Sequence, residues 1–412
     1  MTGERRKFSE QGGESRRLPR HVAVLGVISF LTATSSAMVY GLLPVFLVRV
    51  LGATIVSIGF IEGAAEGMMS FARIVSGLAS DLIGRRKPLV LLGYAVSALN
   101  KLMFPLAGTV FVVLAARVID RVGKGLRDAP RDAFLTDVTP AKIRGSGFGL
   151  RLSFYTAGYV IGPVAAMVLM ATSDDNFRLV FWIAVIPAAI AMLILFFGIS
   201  ETVPKKCPPG RLRLHRGDLA LFNAPFWWTI AVASLLSLAR FSPAFLVLKA
   251  HSIGVGVAFV PIVLIFMHVV YAAAAYPFGI LADHIDRRLQ LVIGAAVLVA
   301  ADLTLANATA AWVAVVGAGC WGLQMAVTQG LLAASVADAA PERLRGTAFG
   351  IYDMAVGAAA FIASSAAGTL WAAVGSGSAF GLSCVLAVAT IILLLFQPKA
   401  VLANRPSQQG RP

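Results

Sequence analysis

The sequence predicts an all-α integral membrane protein whose twelve transmembrane helices form two pseudo-symmetric six-helix bundles, and three observations carry that expectation. Of the 412 residues, 58% are hydrophobic and only 13% charged, with a mean hydropathy of +0.82, about half the charge of a soluble domain. Apolar runs long enough to cross a bilayer recur along the whole chain. Two motifs of the first half return in the second at nearly one offset. The same composition excludes disorder, collagen-like repeats and coiled coil, and three cysteines in 412 residues exclude a disulfide scaffold.

Crossing roughly 30 Å of hydrocarbon takes about 20 apolar residues. Runs that meet this lie at 22–48, 54–80, 88–107, 110–136, 145–171, 178–199, 226–249, 254–282, 289–308, 311–337, 346–372 and 376–397. The first is too long for a signal-peptide core and no small-residue cleavage pattern follows it, so it is expected to remain as a helix. The longest break, SETVPKKCPPGRLRLHRGDLALFN, carries a Pro pair, glycine and five Lys or Arg residues. It marks a linker at 200–225 between an N-terminal bundle (22–199) and a C-terminal bundle (226–397), with tails at 1–21 and 398–412.

A formal charge of +15 in a soluble protein would suggest a nucleic-acid partner, but its distribution gives another cause. Of the 35 Lys and Arg residues, 23 lie in the two tails and the even-numbered connections, whereas the odd-numbered connections hold only Arg49, Arg178 and Lys249. By the positive-inside rule both termini and the even connections are cytoplasmic. The charge is then a matter of topology, and no nucleic acid is expected as partner.

DVTPAKIRGSGFG at 137–149 aligns with DAAPERLRGTAFG at 338–350 at an offset of 201 residues. GLASDLIGRRK at 77–87 aligns with GILADHIDRRL at 279–289 at an offset of 202, pairing Gly77 with Gly279, Asp81 with Asp283 and the Arg85, Arg86 pair with Arg287, Arg288. Each half therefore repeats the other in parallel. The loop after helix 2 (Gly77, Asp81, Gly84, Arg85, Arg86), its weaker copy at Gly279 and Asp283, and the 6+6 count resemble the major facilitator superfamily over nearly the whole chain. GFIEGAAEG at 59–67, RVIDRVGKGLRDAPRDA at 117–133 and FSPAFLVLKA at 241–250 resemble a prokaryotic branch whose substrates are mostly unassigned. The chain departs from that branch at Pro243 and Tyr155, where acids often stand in its members, and from the antiporter signature begun by GYVIGP at Ala165 and Ala166.

The resemblance implies a secondary active transporter of the bacterial inner membrane. It would move a small organic solute by alternating access, driven by protons, with no cofactor and no metal, as a monomer in the lipid bilayer. It also implies gating roles: Asp81 and Asp283 approach helix N-termini of the opposite half near Gly346 and Gly145, Gly77 and Gly279 allow close helix crossing, and Arg127 and Arg131 face the loop after helix 2, where Asp81 pairs with one of them in the outward-open state. A proton-independent uniporter and a non-transporting receptor or assembly protein stay open as alternatives. The sequence carries no P-loop, no nucleophile elbow and no metal-ligand spacing, so an enzyme is not expected.

Charges inside the membrane are the remaining candidates, since each costs about 2.5–3.5 kcal/mol near the bilayer centre on the insertion scale. On helix 4, Arg117, Asp120, Arg121, Lys124, Arg127, Asp128, Arg131 and Asp132 fall within an arc of about 140°. That face is expected to look into a cavity or interface, with Arg117, Arg121 and Lys124 lining it; pairing of Arg117, Asp120 and Lys124 along the helix is the alternative. Glu62 and Glu66 lie one turn apart on helix 2, where two carboxylates disfavour joint ionisation. With Asp120 they are the proton-coupling candidates, the alternative being a fixed pair with Arg117 or Arg151. Arg151, Arg240 and Gln324 are further cavity candidates. Lys101 and Asp302 are expected to snorkel toward an interface, and Asp353, His268, Tyr271 and Tyr276 are left between wall and packing.

Overall fold

The computed structural model describes residues 20–83, 87–139, 143–198, 221–281, 284–341 and 344–396. Twelve helical units follow one another: α1 (Arg20–Tyr40, continued by Leu43–Arg49), α2 (Ile55–Ile83), α3 (Lys87–Asn100, continued by Met103–Leu106) and α4 (Val110–Val138), then α5 (Arg144–Thr172) and α6 (Phe177–Gly198). The second set is α7 (Ala224–Ala239, continued by Ala244–Ser252), α8 (Ile262–Leu281), α9 (Arg287–Ala306), α10 (Ala311–Ala339), α11 (Arg345–Val374) and α12 (Ser376–Leu395). Eleven of these are long and apolar enough to cross a membrane. The twelfth, α4, is 29 residues long but too crowded with charge to qualify by composition. The proposed linker at 200–225 falls mostly outside the described residues.

In the first bundle α1 packs on α5 and α6, and α4 lies between α2 and α3; in the second, α10 lies between α8 and α9, and α12 between α7 and α9. Glycines permit the tightest crossings. A Cβ on Gly125 of α4 would stand 2.6 Å from the Met69 carbonyl of α2 and 2.7 Å from the Ala72 Cβ, so α2 and α4 meet backbone to backbone there. Gly63 of α2 plays that part against the Phe361 carbonyl of α11, at 2.7 Å. The crossings expected at Gly77 and Gly279 are not where the helices approach most closely. Gly77 meets Ala129 at an ordinary 3.9 Å, and no atom lies within 4 Å of a Cβ on Gly279, because that end of α8 has nothing packed against it there.

Among the described residues three contacts between helices of the two bundles stand out. α2 and α11 run along each other, α5 meets α8, and the second segment of α1 packs on the second segment of α7. The last contact closes the end of the molecule that carries the α1–α2 and α7–α8 connections, here called the odd-loop end. The opposite, even-loop end is open between α5 and α8: Gly145, Gly149, Gly279 and Gly346 all face empty space.

Overpacking costs about 1–3 kcal/mol where a backbone stands in the way. Gly125→Val is therefore expected to lower the melting temperature of the detergent-solubilised protein, while Gly145→Val, whose side chain meets nothing, changes stability by less than about 0.5 kcal/mol; equal melting curves for the two variants would remove the α2–α4 contact as the cause.

Candidate functional site

The charged face of α4 is turned inward, and from Arg117 to Lys124 its partners come from other helices, whereas Arg131 pairs within α4 itself. Arg117 donates from Nε to Glu62 Oε1 at 2.8 Å and from Nη2 to Glu62 Oε2 at 2.6 Å, with both side chains buried. Such a two-pronged pair fixes geometry as well as charge. Asp120 pairs with Lys101 of α3 at 3.0 Å and accepts a hydrogen bond from the Tyr40 hydroxyl of α1. The Tyr40 ring in turn carries cations on its π system: Arg117 lies 3.8 Å from its centroid, Lys101 4.8 Å and Arg121 5.2 Å. A desolvated cation over an aromatic face gains about 2 kcal/mol, so Tyr40 is the hub of this cluster.

Lys101 is 2% exposed, which corrects the expectation that it snorkels. α3 breaks after Asn100, and the break turns the lysine inward onto Asp120. Asp302 is likewise fully buried, bonded to Trp321 and Ser383 inside the second bundle.

Toward the even-loop end the interior opens. Along α2 the side-chain exposure rises from 4% at Glu62 to 28% at Glu66 and 34% at Arg73. Glu66 pairs with Arg121 at 2.7 Å. Arg73 reaches Asp128 of α4 at 3.7 Å and Asp353 of α11 at 3.2 Å, tying the two bundles together. Lys124 donates to the Tyr155 hydroxyl at 3.0 Å. From there Tyr155, Tyr159 and His268 form an aromatic run that crosses from α5 to α8, each step 4.9 Å between centroids. Arg240 points at the buried Gln324 of α10, Nη1 to Oε1 at 3.5 Å. Among the described residues no carboxylate comes within ion-pair distance of Lys124, Arg127 or Arg240.

The break in α7 joins the two bundles at the closed end. Pro243 has no N–H, so the Ala239 carbonyl loses its helical donor. Ser242 lies in the gap: its N–H goes to Ser364 Oγ of α11 at 3.1 Å, and its hydroxyl donates to Glu62 Oε2 at 2.9 Å. The Glu62–Arg117 pair of the first bundle is thereby capped by the second.

Of the residues singled out from the sequence, Glu62, Glu66, Arg117, Asp120 and Arg121 form one continuous network around α4 and Tyr40, and Lys124 bonds to Tyr155 beside it. Arg240 and Gln324 sit together in the second bundle. Arg151 lies 3.7 Å from Asp132, Arg131 pairs with Asp128 and Asp132 of its own helix, and Arg127 lies 4.4 Å over the Tyr94 ring. Gly84, Arg85, Arg86 and Asp283 lie outside the described residues, as does the side chain of Asp81. Sequence reasoning passed over Tyr40 and Ser242, which sit in ordinary apolar runs. The signal available for Ser242 was the proline after it, which forces a helix break. No group of His, Cys, Asp and Glu able to hold a metal occurs among the described residues.

The sequence model of the Major Facilitator Superfamily matches residues 25–270 and 227–412. An uncharacterised MFS-type transporter of Methanocaldococcus jannaschii is 30% identical over 402 residues, covering 95% of this chain and 99% of the relative. The class H tetracycline resistance protein of Pasteurella multocida is 25% identical over 294 residues, 67% of this chain and 70% of that one. Among solved structures, a POT family transporter in complex with 5-aminolevulinic acid superposes with a TM-score of 0.77 at 13% identity, over 93% of this chain and 97% of the other. The nucleoside transporter NupG gives 0.75 at 14% identity, over 93% and 99%. With its buried charge network inside two six-helix bundles, this chain belongs to the Major Facilitator Superfamily and is a membrane transporter, not an enzyme.

Proposed function

We propose that the protein is a proton-coupled secondary transporter of a small organic anion, standing here with its cavity open to the cytoplasm. The observation that carries this reading is that two half-buried cations, Lys124 in the first bundle and Arg240 in the second, have neutral partners only, Tyr155 and Gln324, beside a network otherwise neutralised by ion pairs. A solute carboxylate or phosphate would supply the missing charge. Glu66 is the acid best placed to exchange a proton, being paired with Arg121 yet 28% exposed. An anion that engages Arg121 frees Glu66, which then takes a proton from cavity water; the neutral acid and the neutralised arginine can cross together. Glu62 and Asp120, buried in two-sided pairs, hold the scaffold in this scheme.

Alternating access requires the closed end to part and the open end to close. At the closed end the Ser242–Glu62 bond must break. At the open end Arg73 already bridges α2, α4 and α11, and Asp81, two turns further on, is the proposed latch toward the N-terminus of α11, with Asp283 its counterpart toward α5. Termini in the cytoplasm, a bacterial inner membrane, a monomeric state and no nucleic-acid partner complete the proposal. The ion pairing of both Glu62 and Glu66 favours a second reading, a uniporter in which neither acid titrates.

A thermal-shift screen of small organic acids, sugar phosphates and zwitterions against the purified protein identifies the solute, because a ligand of the native state raises its melting temperature. With that solute, Glu66→Gln in proteoliposomes is expected to abolish uphill, proton-driven uptake while solute exchange continues; uptake that still follows the pH gradient in this variant would transfer coupling elsewhere, and uptake in the wild type that ignores the gradient would establish the uniporter. Arg240→Gln is expected to weaken binding of the anion about tenfold, roughly 1.4 kcal/mol, with neutral analogues unaffected; an equal loss for both makes Arg240 structural. Asp81→Asn is expected to slow transport sharply without changing the amount of folded protein in the membrane, and normal turnover in that variant would take Asp81 out of the gate.

A further inference from the structure

Asp302 lies on α9, fully buried, and among the described residues no base comes within ion-pair distance of it. The elements packed around it bring neutral groups. α10 presents the Trp321 indole, with the Cys320 thiol beside it, and α12 presents Ser383, with the Cys384 thiol beside it. α7 directs its two nearby cations elsewhere: Arg240 turns to Gln324, and Lys249 to the Ala306 carbonyl and to Ser376 Oγ. At the other end of α9, Arg287 pairs with Asp338. An ionised carboxylate in this setting would be a buried charge without a counter-charge, which is strongly disfavoured.

Counting hydrogens leads to the same state. Trp321 Nε1 donates to Asp302 Oδ1 at 3.1 Å. Ser383 Oγ stands within hydrogen-bond reach of two oxygens, Asp302 Oδ2 at 2.5 Å and the Ala239 carbonyl. The hydroxyl has one hydrogen, and the carbonyl has none to give. Ala239 is the carbonyl orphaned by Pro243, so the Ser383 hydrogen is its replacement donor. The hydrogen between Ser383 and Asp302 must then come from the carboxyl, giving one chain, Asp302 Oδ2–H to Ser383 Oγ–H to Ala239 O.

The repeat adds an independent comparison. At the 201-residue offset Asp302 stands where Lys101 stands in the first bundle, Trp321 where Asp120 stands, and Phe241 where Tyr40 stands. The two bundles share the same buried pocket. In the first it holds an acid with a base, and in the second an acid alone, with an indole in the position of the partner.

We propose that Asp302 is a proton-binding site of the second bundle, occupied in the state open at the even-loop end, whose proton completes the hydrogen-bond chain that holds the α7 break. Loss of the proton to water lets the Ser383 hydrogen turn to the carboxylate and strips Ala239 of its donor. The break that carries Ser242, and with it the cap on Glu62, is then released. This deepens the proton-coupled reading and rests on it for the use the proton is put to; the occupancy of the site does not.

The test is infrared spectroscopy of the full-length protein in liposomes near neutral pH, with no solute present. The expected result is a carbonyl stretch of a protonated, buried carboxyl that disappears in Asp302→Asn. An undiminished band in a folded Asp302→Asn protein overturns the proposal. Should that variant fail to fold, Trp321→Phe removes the indole donor to Oδ1 and is expected to move the same band to higher frequency, and a band indifferent to it also overturns the assignment. Transport is then measured with Asp302→Asn against a pH gradient. A lost band together with a loss of gradient-driven uptake of tenfold or more supports the whole proposal, whereas a lost band with unaltered gradient-driven uptake overturns the coupling role of Asp302. Wild-type transport indifferent to the gradient would overturn the proton-coupled function and leave the occupied site standing.

Discussion

Neutralising α4 is the constraint on which the rest of this structure depends. The four charged residues nearest its middle would cost about 10 kcal/mol if they faced lipid, as much as the whole stability of many domains. Each of the first three meets a carboxylate or a base on a neighbouring helix: Arg117 meets Glu62, Asp120 meets Lys101, and Arg121 meets Glu66. Those pairs require α2 and α3 to lie close to α4, and Gly125 and Gly93 supply the room. A Cβ on Gly93 would stand 2.7 Å from the Gly123 carbonyl. Charge and small-residue packing are thus two halves of one requirement, because a bulky residue at either glycine would separate the ion pairs it serves.

The second bundle solves the same topology without the charge. At the positions equivalent to Arg117, Arg121 and Lys124, α10 has Ala318, Gly322 and Met325. Its interior is held by rings instead: Phe241 packs on Trp321 and Phe380 at 5.4 and 5.3 Å between centroids. A rigid, charge-fixed bundle therefore faces an apolar one whose polar groups gather at the α7 break, next to Ser242, Ser364 and Ser383. Among the described residues one ion pair crosses between the bundles, Arg73 to Asp353, and it lies at the more exposed end.

The spans, the repeat and the inward face of α4 were all legible because each is a pattern of period or position along the chain. The partners were not, because they depend on which helices become neighbours. Glu62 was visible as an intramembrane acid, yet whether Arg117 or Arg151 would receive it was undecidable until α2 was seen packed along α4. Tyr40 carried no signal at all, since an aromatic residue in an apolar run is ordinary, and its role arises from three cations on other helices converging on it. The snorkelling expectation for Lys101 and Asp302 failed for a local reason in the first case and a tertiary one in the second. The break after Asn100 redirects Lys101, whereas Asp302 stays in a regular helix and is buried by α10 and α12. Gly77 and Gly279 belong to the repeated loop motif, but the close contacts fall on glycines outside it, where the helices cross near mid-membrane.

The geometry of the inter-bundle contacts limits how such a molecule can move. α2 and α11 touch from Gly59 and Gly368 through Gly63 and Phe361 to Ile74 and Gly350, a contact of backbones and small side chains along most of both helices. A surface that smooth resists separation by its dispersion contacts but offers little resistance to a tilt. The α5–α8 contact is different: it is anchored by the stacked Tyr159 and His268 rings and is absent at Gly149 and Gly279. The α2–α11 seam is thus continuous, whereas the α5–α8 contact lapses toward the even-loop end. Lys124 in the first bundle and Arg240 in the second are held by neutral partners only, Tyr155 and Gln324, so neither is fixed by an ion pair among the described residues.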